Sequence, residues 1–232
     1  MGLSLKVKCV NNQKYNVFLI ADDEYITNTI LQGYEWDGWM RGDVEKWYKE
    51  GTEIIDVGAN IGYNSLMFSD YGPVYAFEPL FHKIVKMNVE NNKLKHTMHA
   101  IPVALSNENK TTKMYMANRV KETGLRNYGG SSMYTFEGTD YSTETVVECR
   151  RLDDIYKGSV SFMKIDVEGH ELEVLKGAEN TIKRCNPTIL IEIHDFQNSE
   201  VPKYLKSLGY DDPEPRPDVM FLYRAKDIFS TI

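Results

Sequence analysis

From Thr52 onward the apolar positions fall into short unbroken runs, separated by longer stretches in which apolar residues recur every three or four places. EIIDV, PVYAFEP, TMHAIPVAL, SVSFMKIDV, TILIEIH and VMFLYRA read as strands, and IGYNSLMFSDYG, FHKIVKMNVENNKL, HELEVLKGAENTIKRC and VPKYLKSLGY as helices. Phe81, Ile84, Val85 and Leu94 share one helical face, as do Leu172, Leu175 and Ile182, and Asn186-Pro187 stops the helix before the fifth strand. Strand and helix in strict alternation predict a Rossmann-like α/β fold. Its sheet is doubly wound and mostly parallel, with right-handed crossovers and helices on both faces.

The pattern differs at two places. In the first, KVKCV and YNVFLI alternate around NNQK, which predicts a β-hairpin; Asp22 or Asp23 then caps a helix through YITNTILQGY, and DVEKWYKEG ends a second helix at Gly51. Residues 1–50 are thus expected to form an N-terminal cap of hairpin and helices on a domain spanning 51–232. In the second, the regularity breaks at about 107–150. TKMYMA and TVVECR read as strands, but the segment between them is aperiodic and rich in Gly, Ser, Thr and Tyr. Its length predicts either disorder or a functional loop, and its aromatic side chains favour a functional insertion or lid.

Composition narrows the function. A chain of 232 residues buries a sizeable core, and a net charge of −7 without any dense Lys/Arg block argues against nucleic acid as a partner. Cys9, Cys149 and Cys185 are odd in number and lack a CxxC pair, so neither a disulfide framework nor a zinc cluster is expected. No run is long enough to span a membrane, MGLSLKVKCV lacks a signal-peptide core, and Lys6 stands where a myristoylation motif wants Ser or Thr. The expected setting is the cytoplasm.

Two segments carry chemistry. In IIDVGANIG, a strand ends at Asp56, and Gly58, Asn60 and Gly62 open a helix, which lets backbone approach a ligand closely. Glu78 ends the next strand, where a doubly wound fold sets an acid against ribose hydroxyls. Both NAD and S-adenosylmethionine enzymes use such an acid. The Asp56 carboxylate would repel a pyrophosphate and hold a methionine ammonium, which favours S-adenosylmethionine. The second segment, KIDVEGHE at 164–171, poses a choice between a catalytic base with its neighbours, a metal site, and a charged helix start.

In order along the chain, IIDVGANIGYNS, VYAFEP, VALS, RRLDDI, FMKIDVEGHELEVLKGA and LIEIH resemble the FkbM family of S-adenosylmethionine-dependent methyltransferases. The resemblance runs from about Gly33 to His194 and implies O-methylation of a sugar, glycan or glycoside hydroxyl, or of a natural-product ring; membership in a larger glycan-assembly enzyme is compatible with the sequence. It implies that Asp56, Gly58, Ala59, Asn60 and Gly62 hold the methionine end, Glu78 the ribose, and Ala104, Leu105 and Ser106 the adenine. His170 stands where the family usually has a small residue, so it inherits no role.

Methyl transfer to an alcohol needs an aligned acceptor and a group that takes its proton. Strand alternation places Lys164 and Asp166 on one face, so Asp166 is the first candidate, with Lys164 as its partner. Glu168 divides between catalyst and helix cap, whereas His170 and Glu171 are expected at the surface or as caps. His194 is a second candidate base, since a histidine can be neutral near pH 7. Asp166, Glu192 and His194 would also suit a divalent ion, Mg or Mn, as a less favoured arrangement. An adenosyl-binding module without catalysis is the remaining alternative.

Overall fold

The computed structural model describes residues 5–12, 14–117, 123–135 and 141–226. The expected lid thus lies partly outside the described residues, at 118–122 and 136–140. The chain opens with the expected hairpin, β1 (Val7–Asn11) and β2 (Asn16–Ile20), followed by α1 (Ile26–Leu31) and α2 (Met40–Trp47). Asp23 rather than Asp22 serves α1, its Oδ2 accepting the Thr27 N–H at 2.9 Å.

The alternating part follows as β3 (Glu53–Val57), α3 (Tyr63–Phe68), β4 (Val74–Phe77), α4 (His82–Glu90) and β5 (Met98–Ile101). After an insertion come β9 (Val160–Ile165), α6 (Glu171–Gly177), α7 (Glu179–Cys185), β10 (Thr188–Glu192), α8 (Val201–Ser207), β11 (Glu214–Pro215) and β12 (Met220–Tyr223). The seven strands lie in the order β5-β4-β3-β9-β10-β12-β11, parallel except at β12, which runs against both of its neighbours. This is the Rossmann-like architecture. The chain moves outward from β3 to β5, then returns to the other side of β3 with β9, and a crevice opens at the carboxyl ends of those two central strands.

All six residues of β9 are buried, and its side chains alternate between two cores. Phe162 joins Ile54, Leu66 and Leu190 on one face, while Met163 and Ile165 join Ile55, Val174 and Ile191 on the other. The first core also takes in Val17 and Leu19 of β2, Ile30 of α1 and Val44 of α2, so the N-terminal elements cover that face. Asn88 of α4, fully buried, fastens them. Its amide donates to the carbonyls of Phe18 and Ile61 and accepts the Phe18 N–H.

Three segments differ from the sequence pattern, the first being the second helix, which ends at Trp47 and not at Gly51. TMHAIPVAL is broken at Pro102, which supplies no ladder N–H; β5 ends at Ile101, and β6 (Ala104–Leu105) leaves the main sheet. It pairs instead with β8 (Tyr141–Arg150), which also pairs antiparallel with β7 (Lys110–Ala117) in a separate three-stranded sheet. The helix expected over 170–185 is two helices meeting at Ala178. The break follows from α5 (Leu152–Ile155), whose Asp153 carboxylate accepts the N–H of Asn180 at 2.9 Å and both the N–H and the hydroxyl of Thr181 at 2.8 Å. A buried carboxylate at the first turn of α7 both satisfies orphan donors and complements the helix dipole.

Asp153→Ala leaves these donors unsatisfied. It should lower the unfolding free energy by about 2–3 kcal/mol, read from urea denaturation; a loss under ~0.5 kcal/mol would contradict the capping role.

Candidate active site

The carboxyl ends of β3, β4 and β9 open into a cavity of 360 Å³ whose wall includes Gly58, Asn60, Glu78, Leu105, Lys164 and Asp166. Its floor is the turn after β3. Gly58 takes a left-handed φ of 78°, and a Cβ there would stand 1.8 Å from the Asp166 carbonyl oxygen, so only glycine lets the ends of β3 and β9 close together. Glu78 holds the turn from β4. Its Oε2 accepts the Asn60 N–H at 2.9 Å, and its Oε1 accepts those of Leu80 and Phe81 at 2.7 and 3.0 Å. Burial pushes the Glu78 carboxyl up to about 7 against the pull of these three donors.

Beneath the turn the register sets Asp56 beside Lys164. Lys164 Nζ lies 3.5 Å from Asp56 Oδ1 and 3.1 Å from Asp166 Oδ2. Burial alone would discharge this lysine, but Asp166 and Asp56 outweigh it and hold the ammonium charged. Asp56 also accepts the Ser65 hydroxyl at 2.6 Å and has no exposed surface. Placed by the sequence against a ligand, it is sealed behind the turn by Lys164 and Ser65 and does not reach the cavity wall.

Two adjoining polar residues of the wall, Asp37 and Asn64, are given no role by the sequence. Asp37, from the segment between α1 and α2, adopts a left-handed φ of 51° and accepts the Asn64 amide N–H at 3.0 Å. Burial raises its pKa, while the Asn64 hydrogen bond and Lys164 oppose the shift. Asn64 itself is 7% exposed, and its Oδ1 has no hydrogen-bond partner among the described residues.

Beyond Asp166 the chain turns through Glu168, at φ 53°, and the strand ends of β9 and β10 bring three side chains together. His194 Nε2 lies 3.3 Å from Glu168 Oε2 and 3.2 Å from Glu192 Oε2. The trio expected from the sequence was Asp166, Glu192 and His194; Lys164 draws Asp166 away, and Glu168 takes its place. Hydrogen bonding to Glu168 and Glu192 raises His194 to about 10. With that proton in place the ring does not act as a base, and the three side chains, whose ligand atoms lie within 4.8 Å of one another, are also a group that could hold a metal ion. Burial raises Glu192 to about 7, with His194 opposing. Glu168 and Glu192 line the cavity, and His194 lies outside its wall. Glu168 does not cap α6. Nor does any other side chain among the described residues; Glu171, in the first turn, instead accepts the Gly169 N–H of the preceding turn at 2.9 Å, and it is buried rather than exposed.

On the remaining side Ala104 and Leu105 line the wall, whereas Ser106 and Gly62 do not. The Ser106 hydroxyl lies 3.0 Å from His170 Nε2, and His170 Nδ1 lies 2.9 Å from the Tyr134 hydroxyl. His170, expected at the surface or as a cap, occupies the N-cap position of α6 without a side-chain cap bond, and its ring is buried in the cavity wall, where burial lowers its pKa. From the insertion, Tyr128 and Met133 reach the cavity, and the Ser132 hydroxyl donates to the Glu168 carbonyl at 2.6 Å.

A family model described as methyltransferase FkbM domain matches residues 56–211. Hexuronic acid methyltransferase AglP of Haloferax volcanii is 28% identical over 146 residues, which are 63% of this chain and 57% of that protein. Methyltransferase sdnD of Sordaria araneosa is 24% identical over 221 residues, 77% of this chain and 79% of the relative. The crystal structure of methyltransferase FkbM from Methylobacillus flagellatus KT aligns with a TM-score of 0.47 at 20% identity, over 75% of this chain and 43% of that one. The chain therefore spans little more than half the length of AglP. Among the described residues no helix is long and apolar enough to cross a membrane.

The His194 cluster gives a pH dependence with a definite sign. Its folded value of about 10 lies above the ~6.5 of an unpaired histidine. The stabilisation is therefore full below pH ~6.5 and is lost as the pH rises toward 10. Solvent screens it, since the side chain is 56% exposed. An NMR titration should find His194 protonated at pH 8, and combining Glu168→Gln with Glu192→Gln should return its midpoint to about 6.5. A wild-type midpoint near 6.5 would refute the cluster's charge state.

Proposed function

The chain belongs to the methyltransferase FkbM domain family, and from that premise we propose that it moves a methyl group from S-adenosylmethionine to a hydroxyl of a sugar or glycan. One observation carries the reading: the glycine turn held by Glu78 and the Lys164–Asp166 pair face a single cavity. When bound, S-adenosylmethionine supplies a methyl carbon whose bond to sulfur breaks, the electron pair staying on sulfur, as a bond to the acceptor oxygen forms.

The residues present fit that ligand. Gly58, Ala59 and Asn60 bring bare backbone to the wall, Glu78 offers a carboxylate to ribose hydroxyls, and Ala104 and Leu105 give an apolar flank for adenine. Asp166, with a third of its side chain exposed, takes the acceptor's proton. Lys164 fixes that carboxylate in place, and position is a large factor for an in-line transfer. Glu168 and Glu192 hold acceptor hydroxyls, with His194 as their counter-ion. A divalent ion is no part of this reading.

A sugar is supported by the name of AglP and by the wall itself, whose lining combines carboxylates, suited to hydroxyls, with the aromatic Tyr128, suited to an apolar ring face. Met114, Met133 and Met220 enlarge the apolar side and favour a non-sugar natural-product hydroxyl as the second reading. The same proposal takes residues 51–232 as the catalytic unit, 1–50 as its cover and 107–150 as a lid on the acceptor. It also places the protein in the cytoplasm, a setting that suits its unpaired thiols.

Incubation with S-adenosylmethionine and a panel of methyl-free sugars, with and without EDTA, should yield an O-methyl sugar by mass spectrometry in both cases. Asp166→Asn should lower kcat by about 10²- to 10⁴-fold while leaving cofactor affinity within a few-fold. Tight cofactor binding with no methylation of any hydroxyl compound would overturn the enzyme reading in favour of a binding module.

A further inference from the structure

The sequence assigns the methionine ammonium to Asp56, yet the structure encloses that carboxylate behind the turn with Lys164 and Ser65. A cation in the cavity therefore needs another acceptor beside the glycine turn. Asn64 supplies one. It lies in the first turn of α3, directly after the glycine loop, is more than nine-tenths buried, lines the cavity, and leaves its Oδ1 without a partner among the described residues. The orientation of its amide is fixed by Asp37, since a carboxylate can only accept and must face the Nδ2 side. A buried amide oxygen left open costs stability unless a ligand donor fills it.

Asp37 adds charge at the same spot. Its carboxylate lines the cavity, and among the described residues the neutral side chain donating to it is Asn64. The cation that acts on it most, Lys164, is already shared between Asp56 and Asp166, and Asp166 and Asp218, which also act on it, are acids. The backbone conformation is costly for a residue other than glycine, asparagine or aspartate, and it holds this carboxylate toward the wall. An amide oxygen and a carboxylate side by side, both able only to accept, match an ammonium and mismatch a carboxylate or phosphate.

We propose that Asp37 and Asn64 together receive the ammonium of the methionine end of S-adenosylmethionine, so that the N-terminal segment completes the cofactor site. Asp37 lies outside the region matched by the family model, residues 56–211. The family domain then supplies the turn, the ribose carboxylate and the acceptor side, and the preceding segment supplies the cation's counter-charge. This rests on the S-adenosylmethionine reading above.

Calorimetry with two ligands separates the possibilities. S-adenosylhomocysteine keeps the ammonium, whereas 5′-methylthioadenosine keeps the adenosine and lacks the amino-acid end. In the full chain, Asp37→Asn preserves the left-handed backbone and should weaken S-adenosylhomocysteine by about 10-fold, the worth of one charge-assisted hydrogen bond. Binding of 5′-methylthioadenosine should stay within two-fold. Asn64→Ala, which removes the open oxygen, should reproduce the selective loss. The proposal is overturned if both variants bind S-adenosylhomocysteine within two-fold of wild type, or if the two ligands weaken together. Failure of the wild-type chain to bind either ligand would instead overturn the S-adenosylmethionine reading itself, and this inference with it.

Discussion

The Lys164 ammonium sits where the sheet reverses its order, almost wholly buried between a carboxylate of β3 and the carboxylate that follows β9. A charge in that place is tolerable only because Asp56 and Asp166 both face it. Removing the lysine would strand Asp56 as an uncompensated buried carboxylate, a loss of about 3–5 kcal/mol. The pair thus locks the registers of β3 and β9 and fixes the point from which the glycine turn departs. It also holds Asp166 at the rim, so fold and candidate chemistry depend on the same contact.

Glu78 repeats this economy one strand away. Its two oxygens are bound to three backbone N–H groups, two in the entry to α4 and one in the glycine turn. A group suited to a ribose is therefore also the clamp that keeps the turn open for it. The N-terminal elements stand in a similar double relation to the cavity. They fill the core on the face that carries Lys164, and through Asp37 they reach the wall.

What the sequence disclosed was whatever depends on near neighbours. The strands, the glycine turn, Glu78 at the next strand end and the Lys164–Asp166 pair follow from alternation and spacing within a few residues. The contact of Asp56 with Lys164 does not, because it needs the register of two strands distant in sequence. Nothing in KIDVEGHE marks His170 as buried, since its burial comes from Ser106 and Tyr134, which arrive from the insertion. The interruption between α6 and α7 is likewise invisible locally, being imposed by Asp153. Asp37 was not marked by the local pattern, because its place in the wall depends on the packing of the N-terminal segment.

Two cations, each set between two carboxylates, close the ends of β9 and β10: Lys164 with Asp56 and Asp166, His194 with Glu168 and Glu192. Each group carries one more acid than base, and Asp37 and Asp218 add to that excess along the wall. For the proposed reaction such a field has two consequences. It draws in a cationic methyl donor and releases a product whose sulfur has lost its charge. Attraction to a sulfonium also deepens the ground state, and uncompensated it would raise the barrier as positive charge leaves sulfur. Pairing four of the carboxylates with Lys164 and His194 limits that penalty at the strand ends, where the acceptor oxygen must approach. The less neutralised acid, Asp37, is paired with Asn64, where the proposed site puts the part of the ligand whose charge would not change.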